Sequence, residues 1–286
     1  MTIMVTGASG QLGRRVVENL LAQGVSAGEI IATGRDVGRL HQLAERGVLT
    51  RAVDFSDPAG LQSALTDVDR LLLVSTTTVG ERFDNHRRVI DAARACNVRR
   101  IVYTSTLNAG SARMRLADEH WKTEQYLRAS GTPFTILRNG WYLENYTSQL
   151  ESILRSGVIV GAAGTGTVAG ASRDDLAAAA AAVLTGDGHD GETYELGGHG
   201  FTLHALADII AAETGLPIEY HDLPVAAFAR TLAEAGLPAE LAEVLADADA
   251  GLSRGELATE SRDLERLLGR TPVTARAAVR DALRAA

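Results

Sequence analysis

Six short apolar runs punctuate the first half of the chain, at residues 3–5, 29–33, 48–53, 70–74, 100–103 and 134–137. Stretches with helical spacing separate them. After the first run, Leu12, Val16, Val17, Leu20 and Leu21 fall on one helical face, and Gly24 ends the pattern. Short strands that alternate with helices in this way join by right-handed crossovers into a parallel sheet covered on both faces. The expected fold is α/β, a doubly wound parallel Rossmann sheet with a smaller, mostly helical substrate lobe.

The regularity weakens beyond residue 140. Residues 158–160 read as a short strand and the Gly-rich run at 161–166 as a loop, because no helical pattern follows it. Ser172, Arg173, Asp174 and Asp175 make a capping-box-like start to an alanine-rich helix that ends at Leu184, and a short strand follows at 193–196. From Thr202 the spacing is mostly helical, at 203–214, 226–235, 239–250 and 264–268 and in a C-terminal helix. The chain therefore divides into a Rossmann domain at 1–155, to which 168–198 return, and a capping lobe at 199–286 with the loop 156–167.

The chemistry begins at the first strand–helix junction, which reads Gly7-Ala8-Ser9-Gly10-Gln11-Leu12-Gly13. Gly7 permits a tight turn, Gly10 lets backbone N–H groups approach a pyrophosphate, and Gly13 allows close helix-on-strand packing. Phosphates would then meet the free donors and the positive end of the first helix. The second strand should end beside the adenosine ribose, and it delivers Arg35 and then Asp36. The planar fork of Arg35 suits a 2′-phosphate and selects NADP(H), whereas Asp36 is the acidic type that an NAD site uses. Ligands of open α/β sheets lie at the carboxyl ends of the strands. That rule places Asp54 and Phe55 near the adenine, and Ser75, Thr76 and Thr77 near the nicotinamide ribose.

Bulk properties narrow the partners. A net charge of −8 opposes broad attraction to nucleic acid. No apolar run approaches the roughly 20 residues that span a bilayer, so no membrane segment is expected. The single Cys96 excludes an internal disulfide framework and fits a reducing cytoplasm. The His and Cys residues show no metal-ligand spacing, and no metal is expected. A small molecule is the expected partner, and a homodimer stays open.

Longer patterns carry a resemblance. TGASGQLG at 6–13, LADEHWKTEQYL at 116–127 and, above all, LRNGWYLENY at 137–146 resemble the NmrA-like atypical short-chain dehydrogenase/reductases, in particular their type 2 NADPH:quinone oxidoreductase branch. Ala171-Ser172-Arg173 and Ser253-Arg254-Gly255 add to it, so the resemblance covers nearly the whole chain. It implies NADP(H) in an extended cleft with a small quinone against the nicotinamide. It also implies cofactor contacts from Gly7, Ser9, Gly10, Gln11, Leu12 and Arg35, from Asn139, Gly140, Trp141, Tyr142 and Leu143, and from Arg173.

Alcohol-acting members of that superfamily use a Tyr-x-x-x-Lys pair, in which the Tyr gives a proton and the Lys holds the ribose. Here the corresponding positions are Leu116 and His120, and Lys122 sits about 200° further round the helix from His120. A quinone needs less, because hydride transfer leaves a stabilised phenolate; the cofactor carries the chemistry and the site supplies position. Tyr142, Asn145 and His120 are the candidate proton donors. Two other functions stay open on this pattern: a nucleotide-sensing regulator without turnover, and a reductase of triphenylmethane dyes.

Overall fold

In the computed structural model, which describes residues 1–76 and 80–285, every residue of the first apolar run is buried. That run is β1 (Ile3–Val5). It leads through α1 (Gln11–Ala22), β2 (Ile30–Gly34), α2 (His41–Glu45), β3 (Leu49–Ala52), α3 (Pro58–Leu65) and β4 (Arg70–Leu73) to α4 (Arg82–Ala95). β5 (Arg100–Thr106), α5 (Arg115–Ala129) and β6 (Phe134–Asn139) follow. The chain then leaves the sheet through α6 (Glu144–Thr147), α7 (Leu150–Ser156), β7 (Val158–Gly161) and β8 (Thr167–Ala169), and returns by α8 (Arg173–Thr185) to β9 (Thr193–Leu196). Seven strands pair in parallel in the order β3-β2-β1-β4-β5-β6-β9. The expected doubly wound Rossmann sheet is present. Its order reverses between β1 and β4, where an open α/β sheet forms its ligand crevice.

Helices α1 and α8 cover one face of the sheet, and α3, α4 and α5 cover the other. Helix α1 buries Leu12, Val16, Val17 and Leu20 but has no side-chain cap at Gly10. Burial of such side chains contributes roughly 1.5–3 kcal/mol each, against about 1 kcal/mol for an N-cap. Packing therefore holds α1, and its first turn stays uncapped. At the start of α8 the expected cap is present, with Ser172 Oγ accepting from the Asp175 N–H at 3.1 Å.

Strands β5 and β6 run further than their apolar residues suggest. Thr104, Ser105 and Thr106 extend β5, and Arg138 and Asn139 extend β6, because side-chain partners satisfy most of their buried polar groups. Ser105 donates to Glu124 at 2.6 Å, and Arg138 makes a two-pronged pair with Glu124 and a further bond to Glu195. Burial of these charges is tolerated only because they are paired.

The remaining elements are β10 (Gly200–Thr202), α9 (Leu203–Thr214), β11 (Glu219–Asp222), α10 (Val225–Glu234), α11 (Ala239–Ser253), α12 (Asp263–Leu268) and α13 (Ala275–Ala285). β10 pairs antiparallel with β8, and β11 pairs parallel with β7. A second core of Ile153, Ile159, Phe201, Leu206, Ile210 and Val279 sits between them, joined by Met114 and Ala117 from the α5 end and Leu143 from beyond β6. Leu264 of α12 instead packs in the core under α1 and α8. Among the described residues no helix is long and apolar enough to cross a membrane.

Candidate active site

The Gly7 turn is built by contacts that other residues would break. Gly7 has φ +62°, in the left-handed region, and a Cβ on Gly13 would stand 2.5 Å from the Gly7 carbonyl oxygen. The Ala8 N–H donates to the Thr33 carbonyl at 2.8 Å, which ties the loop to β2. Gly34 lies against Ser9, since a Cβ there would come within 2.8 Å of Ser9 Oγ. Gly10 and Gln11 are exposed and Leu12 is buried, so the first turn of α1 faces outward with its backbone donors.

Beyond β2, Arg35 and Asp36 are both exposed, but they are used differently. Asp36 accepts from the Gly38 N–H at 2.9 Å and starts the next turn. Its carboxylate is thus engaged in capping. Arg14 reaches across with bonds to Gln42 and to the Arg39 carbonyl, and so anchors that turn to α1. Arg14 carries no signal in the sequence, where it follows the glycine pattern as an ordinary surface position. Asp54 accepts from the Ser56 N–H and hydroxyl, and those bonds, followed by the nearby Arg35, hold its carboxyl below the usual range. Phe55 packs partly buried on the sheet's core.

At the exit of β4, Ser75 and Thr76 lie side by side with β5. The Ser75 N–H donates to Thr104 Oγ1 at 2.9 Å, and Thr76 is held through its backbone from α4. Thr77 lies outside the described residues. Among the described residues, two buried polar atoms at strand exits lack a partner: Thr76 Oγ1 and Asn139 Oδ1. An unmet buried group costs about 1–3 kcal/mol, and a ligand atom at each exit would satisfy it. Together with the uncapped helix start and the glycine turn, they fit an extended dinucleotide.

The segment after β6 crosses the returning chain at close range. A Cβ on Gly140 would stand 2.4 Å from the Ala169 carbonyl, and Leu143 N–H donates to Ala171 while Ala171 N–H donates to Trp141. Tyr142 lies beneath Arg173, whose guanidinium carbon is 4.3 Å from the ring centroid. Arg173 also donates to Asn145 at 3.1 Å and pairs with Glu144 at 3.5 Å. Burial pushes the Tyr142 phenol up, opposed by Arg173, so it stays protonated at neutral pH. Trp141 and Leu143 pack on the smaller core.

Tyr142, Asn145 and Arg173 are therefore one cluster. His120 belongs to another: it is buried on α5, with Nδ1 2.7 Å from the Tyr103 hydroxyl. Burial, then Arg82 and His86, keep its imidazole neutral. Among the described residues no group of three or more His, Cys, Asp or Glu side chains could hold a metal.

Residues 7–187 match the family model described as NAD(P)H-binding. Over 273 residues the chain is 45% identical to quinone oxidoreductase 2 of Escherichia coli, covering 95% of each. The chain belongs to the NmrA-like NAD(P)H-binding reductases. The E. coli NADPH-dependent quinone oxidoreductase complexed with NADPH superposes on this reductase with TM-score 0.95 at 43% identity, covering 99% of both chains. The Citrobacter triphenylmethane reductase complexed with NADP(H) gives TM-score 0.93 at 35% identity, covering 98% of this chain and all of that one. NADP(H) is the cofactor of this reductase, and the chain is an oxidoreductase.

Proposed function

We propose that the chain reduces a small quinone with NADPH as direct hydride source. Bound NADPH supplies the hydride, so the transfer needs no flavin or metal as carrier. The observation that carries the reading is the replacement of the proton-delivering pair, in a chain this similar to a quinone reductase. Leu116 stands in the Tyr position, and His120 in the Lys position is turned into a buried bond with Tyr103. A carbonyl acceptor would form an alkoxide that needs a proton in step with hydride transfer; a quinone forms a phenolate that does not.

The chain's own residues then bind and orient. The Gly7 turn and the α1 start hold the pyrophosphate, Arg35 holds the 2′-phosphate, and the exits of β4 and β6 hold the nicotinamide half. Asp54 and Phe55 border the adenine. Tyr142 and Asn145, fixed by Arg173, face the acceptor side, and Tyr142 is the group we assign to give the phenolate its proton; Tyr142→Phe should slow turnover without weakening NADP⁺ binding. A triphenylmethane dye is the second acceptor class, favoured by the 34–35% identity and full-length superposition with the Citrobacter enzyme. Purified protein with NADPH and a panel of benzoquinones, naphthoquinones and triphenylmethane dyes decides between them. Rapid loss of reduced nicotinamide absorbance with quinones supports the reading; tight NADPH binding with no acceptor-dependent oxidation would instead mark a nucleotide sensor.

A further inference from the structure

Three consecutive backbone N–H groups leaving β4 are taken by side chains from the turn after β1, from β5 and from α4. Val74 donates to Thr6 Oγ1 at 2.9 Å, Ser75 to Thr104 Oγ1 at 2.9 Å, and Thr76 to His86 Nε2 at 3.1 Å. The Thr76 carbonyl in turn accepts from Arg82 Nε at 2.8 Å. Both peptide groups of Thr76 are thus gripped from α4, by residues four apart on one helical face.

A second pair backs the first. Glu119 and Thr123 are also four apart, on α5; Glu119 meets Arg82 at 3.3 Å, and Thr123 Oγ1 lies 3.1 Å from His86 Nδ1. Because His86 Nε2 accepts from Thr76, Nδ1 carries the proton and donates to Thr123, whose hydroxyl passes its own hydrogen to the Glu119 carbonyl at 2.9 Å. Arg82 is 4% exposed, and His86 and Thr123 are fully buried. Apolar side chains would fill this space at lower desolvation cost. Arg82 Nε and His86 Nε2 both serve to fix one residue, while that residue's own hydroxyl, Thr76 Oγ1, is buried with no partner among the described residues.

We propose that Arg82 and His86 are positioning residues that hold Thr76 Oγ1 for the nicotinamide ribose, and so set the affinity for that half of NADP(H) independently of the 2′-phosphate half. This rests on reading the β4 exit as the nicotinamide-ribose contact. The helix that carries the proton pair in alcohol-acting relatives here braces the cofactor loop through Glu119 and Thr123.

Titration calorimetry with NADP⁺ and with adenosine 2′,5′-bisphosphate, which lacks the nicotinamide half, separates positioning from folding. His86→Leu and Arg82→Met should weaken NADP⁺ about tenfold or more and leave the bisphosphate within about twofold. His86→Gln, whose side-chain carbonyl can still accept from Thr76, should recover most of the loss. Thr76→Val leaves α4 untouched and should give the same split even if the helix variants fold poorly. Unchanged NADP⁺ affinity in Thr76→Val or in folded His86→Leu would overturn the proposal, and so would equal loss of both ligands. Failure of the unaltered protein to bind either ligand would overturn the underlying nucleotide reading as well.

Discussion

The guanidinium of Arg173 lies 4.3 Å from the ring centroid of Tyr142, and the same side chain holds Asn145 and Glu144. One arginine at the start of α8 thereby fixes the segment that follows β6. A desolvated cation–π contact contributes up to about 2 kcal/mol, and Arg173→Ala should lower the unfolding free energy by about that amount. Arg173→Lys keeps the charge but loses the planar fork, so it should recover less than half. Urea unfolding of the three proteins checks this; an unchanged midpoint in Arg173→Ala would show the stack to be incidental.

Arg35 and Asp36 make separable predictions. Arg35→Ala should raise the KM for NADPH about tenfold or more and leave that for NADH little changed, because only the former has a 2′-phosphate to lose. Asp36 caps a turn through the Gly38 N–H. Asp36→Ala should therefore cost about 1 kcal/mol of stability and leave cofactor preference unaltered. Equal loss of NADPH and NADH in Arg35→Ala, or weakened NADH binding in Asp36→Ala, would show that the acid, not the arginine, reads the ribose.

Acid should unfold the protein through His86. Burial, then Arg82, lowers its folded-state pKa to about 3, below the ordinary 6.5, so the unfolded chain takes up the proton first. The stability that the neutral ring contributes is complete above about pH 6.5 and is lost as pH falls toward 3, at up to about 1.4 kcal/mol per pH unit. His120, also held neutral by burial, acts in the same direction. Urea midpoints between pH 7 and pH 5 should fall less steeply in His86→Gln than in the unaltered protein. Parallel slopes would contradict the relay.

Asp249 has the opposite sign. Burial holds its carboxyl up to about 6, with Asp222 pushing the same way and the Ala162 N–H opposing. The protonated form is favoured in the fold, so stability is full below about pH 4 and is lost as pH rises through 6. Asn keeps an acceptor for Ala162 without the charge. Asp249→Asn should stabilise by about 1–2 kcal/mol at pH 8 and by almost nothing at pH 4. Thermal melts at the two pH values test it, and an equal effect at both would exclude the ionisation.

The sheet and the glycine turn were legible because burial on both faces needs uninterrupted apolar runs, and because the loop needs glycine where a Cβ would strike backbone. The ends of β5 and β6 were not. Ser105 and Arg138 lie outside the apolar runs, and only the packed fold brings Glu124 and Glu195 beside them to meet their polar groups. β11 escaped because only Ile218 and Tyr220 alternate as buried positions there, too short a pattern without its partner β7. At the site, Arg35 and Asp36 stood next to each other with opposing implications, and only the Gly38 bond shows how Asp36 is employed. Arg82 and His86 carried no signal, since a clamp made from two helices exists only once α4 and α5 are packed together.

Two-electron hydride transfer from NADPH to a quinone, with no proton pair at Leu116 and His120, leaves a distinct kinetic signature. The most direct measurement mixes flavin-free protein with 1,4-benzoquinone and NADPH deuterated at both C4 positions, following nicotinamide oxidation, hydroquinone formation and semiquinone radical together. The predicted result is one NADPH oxidised per hydroquinone formed, a primary isotope effect under single-turnover conditions and no radical. Bound NADPH that stays reduced, or oxidation accompanied by enzyme-formed semiquinone, would contradict it.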